Sequence, residues 1–375
     1  MPGRSLERSR TQAPCVYLVT PGGTDERGGI SRLVTGVVRY WRDSGDGPAF
    51  CIVDTYGPWQ LYSSPFYLLA ALARIAWGAW RGRIRLLHIH MASRGSILRK
   101  GLIVWLGAAL GLPILLHLHS GAFVAFAGGL PAPLGALLRA TLRRADRVVV
   151  LGAQWRQAAH DKLGIDPRKA VILMNGVAGP AEPPARGEPE GPCRLLFLGK
   201  LRPEKGVDEL LEALADPRLA QLDWQACLAG DGTLAAYRAR AEALGLAERI
   251  EFPGWLEAAA VEGLLRQSDV FVLPSHFEGL SIAMLEALAY GLASVVSRVG
   301  AADEVVEDGV SGLLIPAGDR EALIGALEKV IGDPALRARL QRAGRQRFNE
   351  NFDISVYCKK LAALYGEMDQ QPTRV

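Results

Sequence analysis

Short apolar runs recur along the chain, and most are followed by a turn and then by apolar residues at helical spacing. In the first half, the runs at 16–20, 50–53, 86–90, 113–118, 147–151 and 171–174 read as strands. In the second half, 194–198, 224–229, 249–252, 270–273, 294–297 and 312–315 read the same way. The intervals between them carry helical patterns. Leu33, Val34, Val37 and Val38 follow Ser31, and 65–80 (PFYLLAALARIAWGAW) is strongly apolar and reads as a core helix. Further helices fall at 134–144, 207–214, 234–244, 261–266, 320–331, 334–348 and 354–367. Strand alternating with helix implies an α/β protein with parallel sheets. The pattern breaks at 178–192 (AGPAEPPARGEPEGP), a linker rich in Pro, Gly and Glu. The expected organisation is a first domain over 1–177, a second over 193–351, and a terminal helix with tail over 352–375 that returns to the first domain.

Composition fits this picture. The chain has 375 residues, 49% of them hydrophobic, enough for two cores. Its five cysteines are widely spaced, show no zinc or redox spacing, and read as buried thiols of a reducing compartment. The apolar run CVYLVT is too short for a signal-peptide core, and Gly107, Gly111 and Pro113 interrupt the longest apolar stretch, at 101–116. A cytoplasmic protein is expected. Net charge is +4, but residues 1–180 carry 22 Lys and Arg against 9 Asp and Glu, so the excess sits in the first half. No nucleic-acid motif accompanies it, and the expected counterpart is an anionic acceptor or anionic lipid.

The chemistry concentrates at 274–291 (PSHFEGLSIAMLEALAYG). Here a strand, a tight turn and a helix follow one another, with Gly279 in the turn and Ser281 as the N-cap. A helix that opens this way suits a phosphate at its N-terminus. Glu278 in the turn and Glu286 on the helix are candidates for sugar hydroxyls. Lys200 and Lys205 bracket the turn GKLRPEKG and can converge on one anion, as a departing diphosphate requires. Asp-x-Asp is absent from the chain, so lysine and a helix N-terminus stand in the metal's place, and no metal or cofactor is expected. The loop PGGTDERGGI, between the first strand and first helix, suits an anion but lacks a dinucleotide fingerprint. His117 and His119 lie on one face of a strand, with His119 at its carboxyl end, where ligands bind in open α/β sheets. HExxH is absent and no partner cluster is visible, which argues against a metal at these histidines. Arg94, Arg99 and Lys100 open a helix and are candidates for gripping an anionic acceptor or a lipid headgroup.

FLGKLRPEKGVDELLEAL, LAGDG, FPGW, SDVFVLPSHFEGLSIAMLEALAYG and VGAADEVVEDGVSGLLIPAGD resemble glycosyltransferase family 4. PGGTDERGGI, HIHMAS and HLHSGAF also match, so the resemblance spans nearly the whole chain. It implies a retaining, metal-independent transferase with two Rossmann-like domains facing across a cleft, the GT-B arrangement. Glu278 would face the donor sugar, and Gly279, Leu280 and Ser281 the phosphates. Glu286 would hold the ribose, and Lys200 and Lys205 would take the place of the family's Arg/Lys pair. Gly28 and Gly29 would approach the diphosphate, His119 the transferred sugar, and residues 252–255 the nucleobase. The implied donor is a UDP- or GDP-linked sugar. The implied acceptor is a saccharide or lipid-linked saccharide in exopolysaccharide, capsule or lipopolysaccharide synthesis. The basic first domain and the apolar segments near Trp77 and Phe126 suggest an acceptor at the inner face of the cytoplasmic membrane, with the protein peripheral to it. A nucleotide-sugar 2-epimerase and a non-catalytic nucleotide-sugar binder share the architecture and remain alternatives.

Overall fold

The computed structural model describes residues 13–21, 29–57, 62–93, 95–119, 123–184 and 191–370. They form two compact units, Met1–Asn175 with Ile354–Val375, and Gly176–Asp353. The first unit has strands β1 (Cys15–Thr20), β2 (Phe50–Asp54), β3 (Ile84–Met91), β4 (Ile114–Leu118), β5 (Arg147–Val150) and β6 (Ala170–Ile172). Its helices are α1 (Gly29–Ser44), α2 (Ser64–Trp80), α3 (Gly95–Ala109), α4 (Phe123–Gly128), α5 (Ala132–Leu142) and α6 (Ala153–Leu163). The second unit has strands β7 (Cys193–Leu198), β8 (Trp224–Ala229), β9 (Ile250–Gly254), β10 (Val270–Leu273), β11 (Ala293–Ser297) and β12 (Leu313–Ile315). Its helices are α7 (Val207–Leu214), α8 (Pro217–Ala220), α9 (Leu234–Ala243), α10 (Ala258–Gln267), α11 (Ile282–Ala289), α12 (Ala302–Val305), α13 (Arg320–Gly332) and α14 (Pro334–Asn351). The last helix, α15 (Ile354–Asp369), belongs to the first unit.

Both sheets are parallel and Rossmann-like. The first runs β2-β1-β3-β4-β5-β6 and the second β12-β11-β10-β7-β8-β9. In each, the strand order reverses once, between β1 and β3 and between β7 and β10. Such switch points leave a crevice at the carboxyl ends of the strands. Side chains of β1 alternate between two cores, Tyr17 and Val19 on one face and Val16 and Leu18 on the other. The second face is covered by α1 and α15, whose Tyr357, Leu361, Leu364 and Tyr365 recur at helical spacing against it. Arg85 at the start of β3 fixes the far end of α15 through an ion pair with Asp369.

One expectation changes. Helix α2 is not a core helix: it buries only Ser64, Ala71, Ile75 and Gly78, while Phe66, Leu69, Trp77 and Trp80 are exposed. The start of the segment read as a linker lies in the second unit. Arg345 on α14 donates to the carbonyls of Ala289 and Pro180, the latter at 2.7 Å, and so ties 180–181 to the second unit.

Candidate functional site

The carboxyl ends of β7 and β10 are neighbours because the strand order reverses between them. After β7 comes the segment 199–206, whose Pro203–Lys205 forms a single 3-10 turn. After β10 comes the segment 274–281. Gly206 joins the two. It has φ +69°, and a Cβ there would lie 2.0 Å from the Pro274 carbonyl oxygen, so only glycine fits. The backbone N–H of His276 donates to the Glu204 carbonyl at 3.0 Å, which sets the register of the two loops.

This juxtaposition brings Lys205 and Glu278, 73 residues apart, into an ion pair. Both side chains are mostly enclosed, at 27% and 17% exposure, so solvent screens the pair less than a surface one. Ser275 Oγ donates to the same carboxylate at 3.2 Å. Next to Glu278, Ser281 caps α11 as expected, accepting from the Met284 N–H at 3.3 Å. Gly300, with φ +61°, presses on this turn from the loop after β11. A Cβ there would lie 2.2 Å from the Gly279 carbonyl oxygen, which accepts from the Ala301 N–H at 2.9 Å. The turn is therefore held from two sides.

The other expected donor residues lie where the strand ends place them. Lys200 is exposed on the loop after β7, Gly279 is half-buried and Leu280 is buried. Glu286 is half-buried on the first turns of α11. Of the segment at 252–255, Phe252 is core and Trp255 is 42% exposed. Gly28 and Arg94 lie outside the described residues; Gly29 is the first residue of α1 and is exposed.

The first unit contributes a cluster that sequence reading misses. Register pairs His90 with His117 across β3 and β4, and period-two alternation adds His88 and His119 to the same face. His90 Nδ1 lies 2.7 Å from His119 Nε2, and His88 Nδ1 lies 2.7 Å from the Tyr365 hydroxyl of α15. His88 Nε2 lies 3.3 Å from His117 Nδ1. Burial pushes the His88 and His119 pKa values down to about 3, and holds His90 and His117 well below 6.5. All four are neutral imidazoles at pH 7. Nitrogens of His88, His90 and His117 lie within 4.8 Å of one another, so the partner cluster held to be missing does exist. The Lys100 charge acts on His90, which opposes a cation beside that ring.

Lys100 itself is a correction. It is fully buried and donates to Thr55 Oγ1 at 2.5 Å, so it grips neither an acceptor nor a headgroup. Helical spacing turns it inward, while Arg99, one residue earlier, stacks on Tyr56 with its Cζ 4.5 Å from the ring centre.

Residues 13–176 match the family described as "Glycosyl transferase 4-like domain", and 180–347 match "Glycosyl transferases group 1". Each half of the chain thus matches a glycosyltransferase domain family. It is 31% identical over 240 residues to glycogen synthase of Mycobacterium tuberculosis, covering 62% of this chain and 58% of that protein. It is 32% identical over 230 residues to phosphatidyl-myo-inositol mannosyltransferase of Mycobacterium leprae, covering 60% and 59%. The matches thus span under two thirds of these curated relatives. Sucrose-phosphate synthase of Thermosynechococcus elongatus superposes with a TM-score of 0.74 at 19% identity, covering 95% of this chain and 99% of that one. That likeness concerns the fold, two Rossmann-like domains.

Proposed function

We propose that this glycosyltransferase moves a hexose, with retention of configuration, from a UDP- or GDP-linked donor to a saccharide or lipid-linked saccharide acceptor. The single observation that carries the reading is the Lys205–Glu278 pair at the β7/β10 switch point, beside the Ser281-capped N-terminus of α11. A diphosphate entering there meets the N–H groups of α11 and competes with Glu278 for Lys205. Lys205, with Lys200, then faces the leaving phosphate, and Glu278 faces the positive charge developing on the sugar ring. The bond from the sugar's anomeric carbon to the diphosphate oxygen breaks. The acceptor oxygen bonds to that carbon on the same face, and its proton passes to the departing phosphate. Glu286 accepts from the ribose hydroxyls, and His119, a neutral imidazole, hydrogen-bonds the transferred sugar.

The named activities of the relatives support a sugar-transfer chemistry and leave the acceptor open, since one name points to a glucan and the other to a lipid. In this reading no metal carries the leaving-group charge; the two lysines and the helix N-terminus do. The biological setting proposed is surface-polysaccharide assembly on the cytoplasmic side of the membrane. A thermal-shift screen against UDP-, GDP-, ADP- and CMP-sugars identifies the donor, because a bound donor raises the melting temperature. With that donor, Lys205→Ala and Glu278→Ala should each lower kcat/KM by about 100-fold or more. Turnover near the parent's in both variants defeats the reading. Inverted configuration in the product, read by NMR, defeats its retaining part.

A further inference from the structure

Part of the first unit's surface is apolar where solvent meets it. On α3, Leu98 is 69% and Leu102 47% exposed; on α5, Leu134 and Leu137 are each 51% exposed. Between these helices, with Phe126 and Leu130 among its lining, lies a groove of about 530 Å³. That volume is typical of ligand pockets, roughly 300–1,000 Å³. Its one side-chain hydroxyl is engaged: Thr141 Oγ1 accepts from Trp105 Nε1 at 2.9 Å and donates to the Leu137 carbonyl at 2.9 Å. The rest of the lining is almost wholly hydrocarbon. A site with so few polar handles does not orient a sugar or a nucleotide; it suits a methylene chain. Helix α2, which packs on α3, adds exposed Phe66, Leu69, Trp77 and Trp80.

Charge identifies what covers this face. Between Asp54 and Asp146 the sequence holds no Asp or Glu at all, against ten Lys and Arg. Arg85 pairs with Asp369 and Lys100 is buried, but Arg81 lies over Trp77 and Trp80, and Arg144 over Trp105. Arginine laid against an exposed tryptophan, beside leucines, is the side-chain arrangement of a membrane–water interface. A second copy of this chain is a poor occupant, because a self-complementary contact would set the same cations against each other. No described helix is long and apolar enough to cross a membrane.

We propose that the face built by α2, α3 and α5 docks on an anionic phospholipid bilayer and that the groove between α3 and α5 takes up one hydrocarbon chain from it. The proposal does not rest on the donor chemistry. The full chain is sedimented with vesicles of phosphatidylcholine alone, and of phosphatidylcholine mixed in equal parts with phosphatidylglycerol. Binding to the anionic vesicles should be at least about tenfold tighter, and should weaken with salt. Arg81→Glu with Arg144→Glu should remove most of that preference. Leu102→Glu with Leu134→Glu should weaken binding by about tenfold or more, while Val310→Glu, on an exposed apolar residue of the second unit, should leave it unchanged. If the groove variant fails to fold, vesicles with brominated acyl chains give a second readout. They should quench the parent's tryptophan fluorescence more than that of Trp105→Phe. Equal binding to both vesicles overturns the proposal, as does parent-like binding by the folded groove variant. So does a concentration-dependent dimer that the same substitutions dissolve, since a second copy would then be the occupant.

Discussion

Lowering the pH from 7.5 to 5.5 should destabilise the first unit through His88, His90, His117 and His119. An unfolded chain titrates its imidazoles near 6.5, so each is about 10% protonated at pH 7.5 and about 90% at pH 5.5. In the folded unit burial keeps all four neutral across that window. Their folded pKa values lie below the unfolded one, so the unfolded state binds the extra protons and stability falls as pH falls through 6.5. The loss is close to RT ln 10, about 1.4 kcal/mol per histidine, or roughly 5–6 kcal/mol for four. A domain's whole stability is commonly about 5–15 kcal/mol, so the effect decides whether the unit stays folded. The Cys51 thiol, lowered to about 6 chiefly by a hydrogen bond from Cys15, acts in the same direction, and a Cys51→Ser background removes it. The assay is hydrogen exchange of peptides from β3 and β4 in urea, at steps of pH. His117→Gln should cut the pH dependence by about one proton, about 1.4 kcal/mol across the window, whatever it costs at neutral pH. An opening free energy equal at pH 7.5 and 5.5, or a slope unaltered in His117→Gln, refutes the reasoning.

Gly300→Ala should lower donor affinity and cost about 1–3 kcal/mol of stability, since its Cβ would strike the Gly279 carbonyl from a left-handed backbone. Thermal unfolding and a donor titration check it together. Arg345→Met should cost about 2–4 kcal/mol, because it strips a buried donor from the Ala289 and Pro180 carbonyls. Urea denaturation followed at the second unit's Trp224 measures this. Of the five cysteines, Cys51 should alkylate first at pH 7.5, being half-buried with its thiol lowered chiefly by a hydrogen bond from Cys15, whereas Cys193 and Cys227 are raised to about 12 and about 11 by burial. Timed iodoacetamide labelling with peptide mass spectrometry reads the order.

Much of the architecture is legible in the chain because its cause is local. The run at 270–273 is apolar throughout and becomes β10, buried on both faces. Ser281 precedes the helical pattern and does cap α11. Glycines mark places of close approach, and at Gly206 and Gly300 the approach is real. The partners are not legible. Lys205 reads as half of a lysine pair, yet its nearest charged partner is Glu278, and only the β7/β10 reversal makes them neighbours. Lys100 reads as part of a basic patch, because the chain does not show which side of α3 faces the sheet. For the same reason α2 reads as core: its apolar residues encircle the helix, and a pattern without a polar face cannot say which side is covered.

By itself, then, the sequence marked the strands, most of the longer helices, the turn that carries Glu278, and the missing acidic residues between Asp54 and Asp146. Periodicity, capping and charge are properties of neighbouring residues, and neighbours are what a sequence records. Tertiary structure alone decided that Lys205 meets Glu278, that four histidines stack on one face of β3 and β4, and that the leucines of α3 and α5 line an open groove. Those facts follow from strand order and register, which the chain settles by burying its apolar surface as a whole.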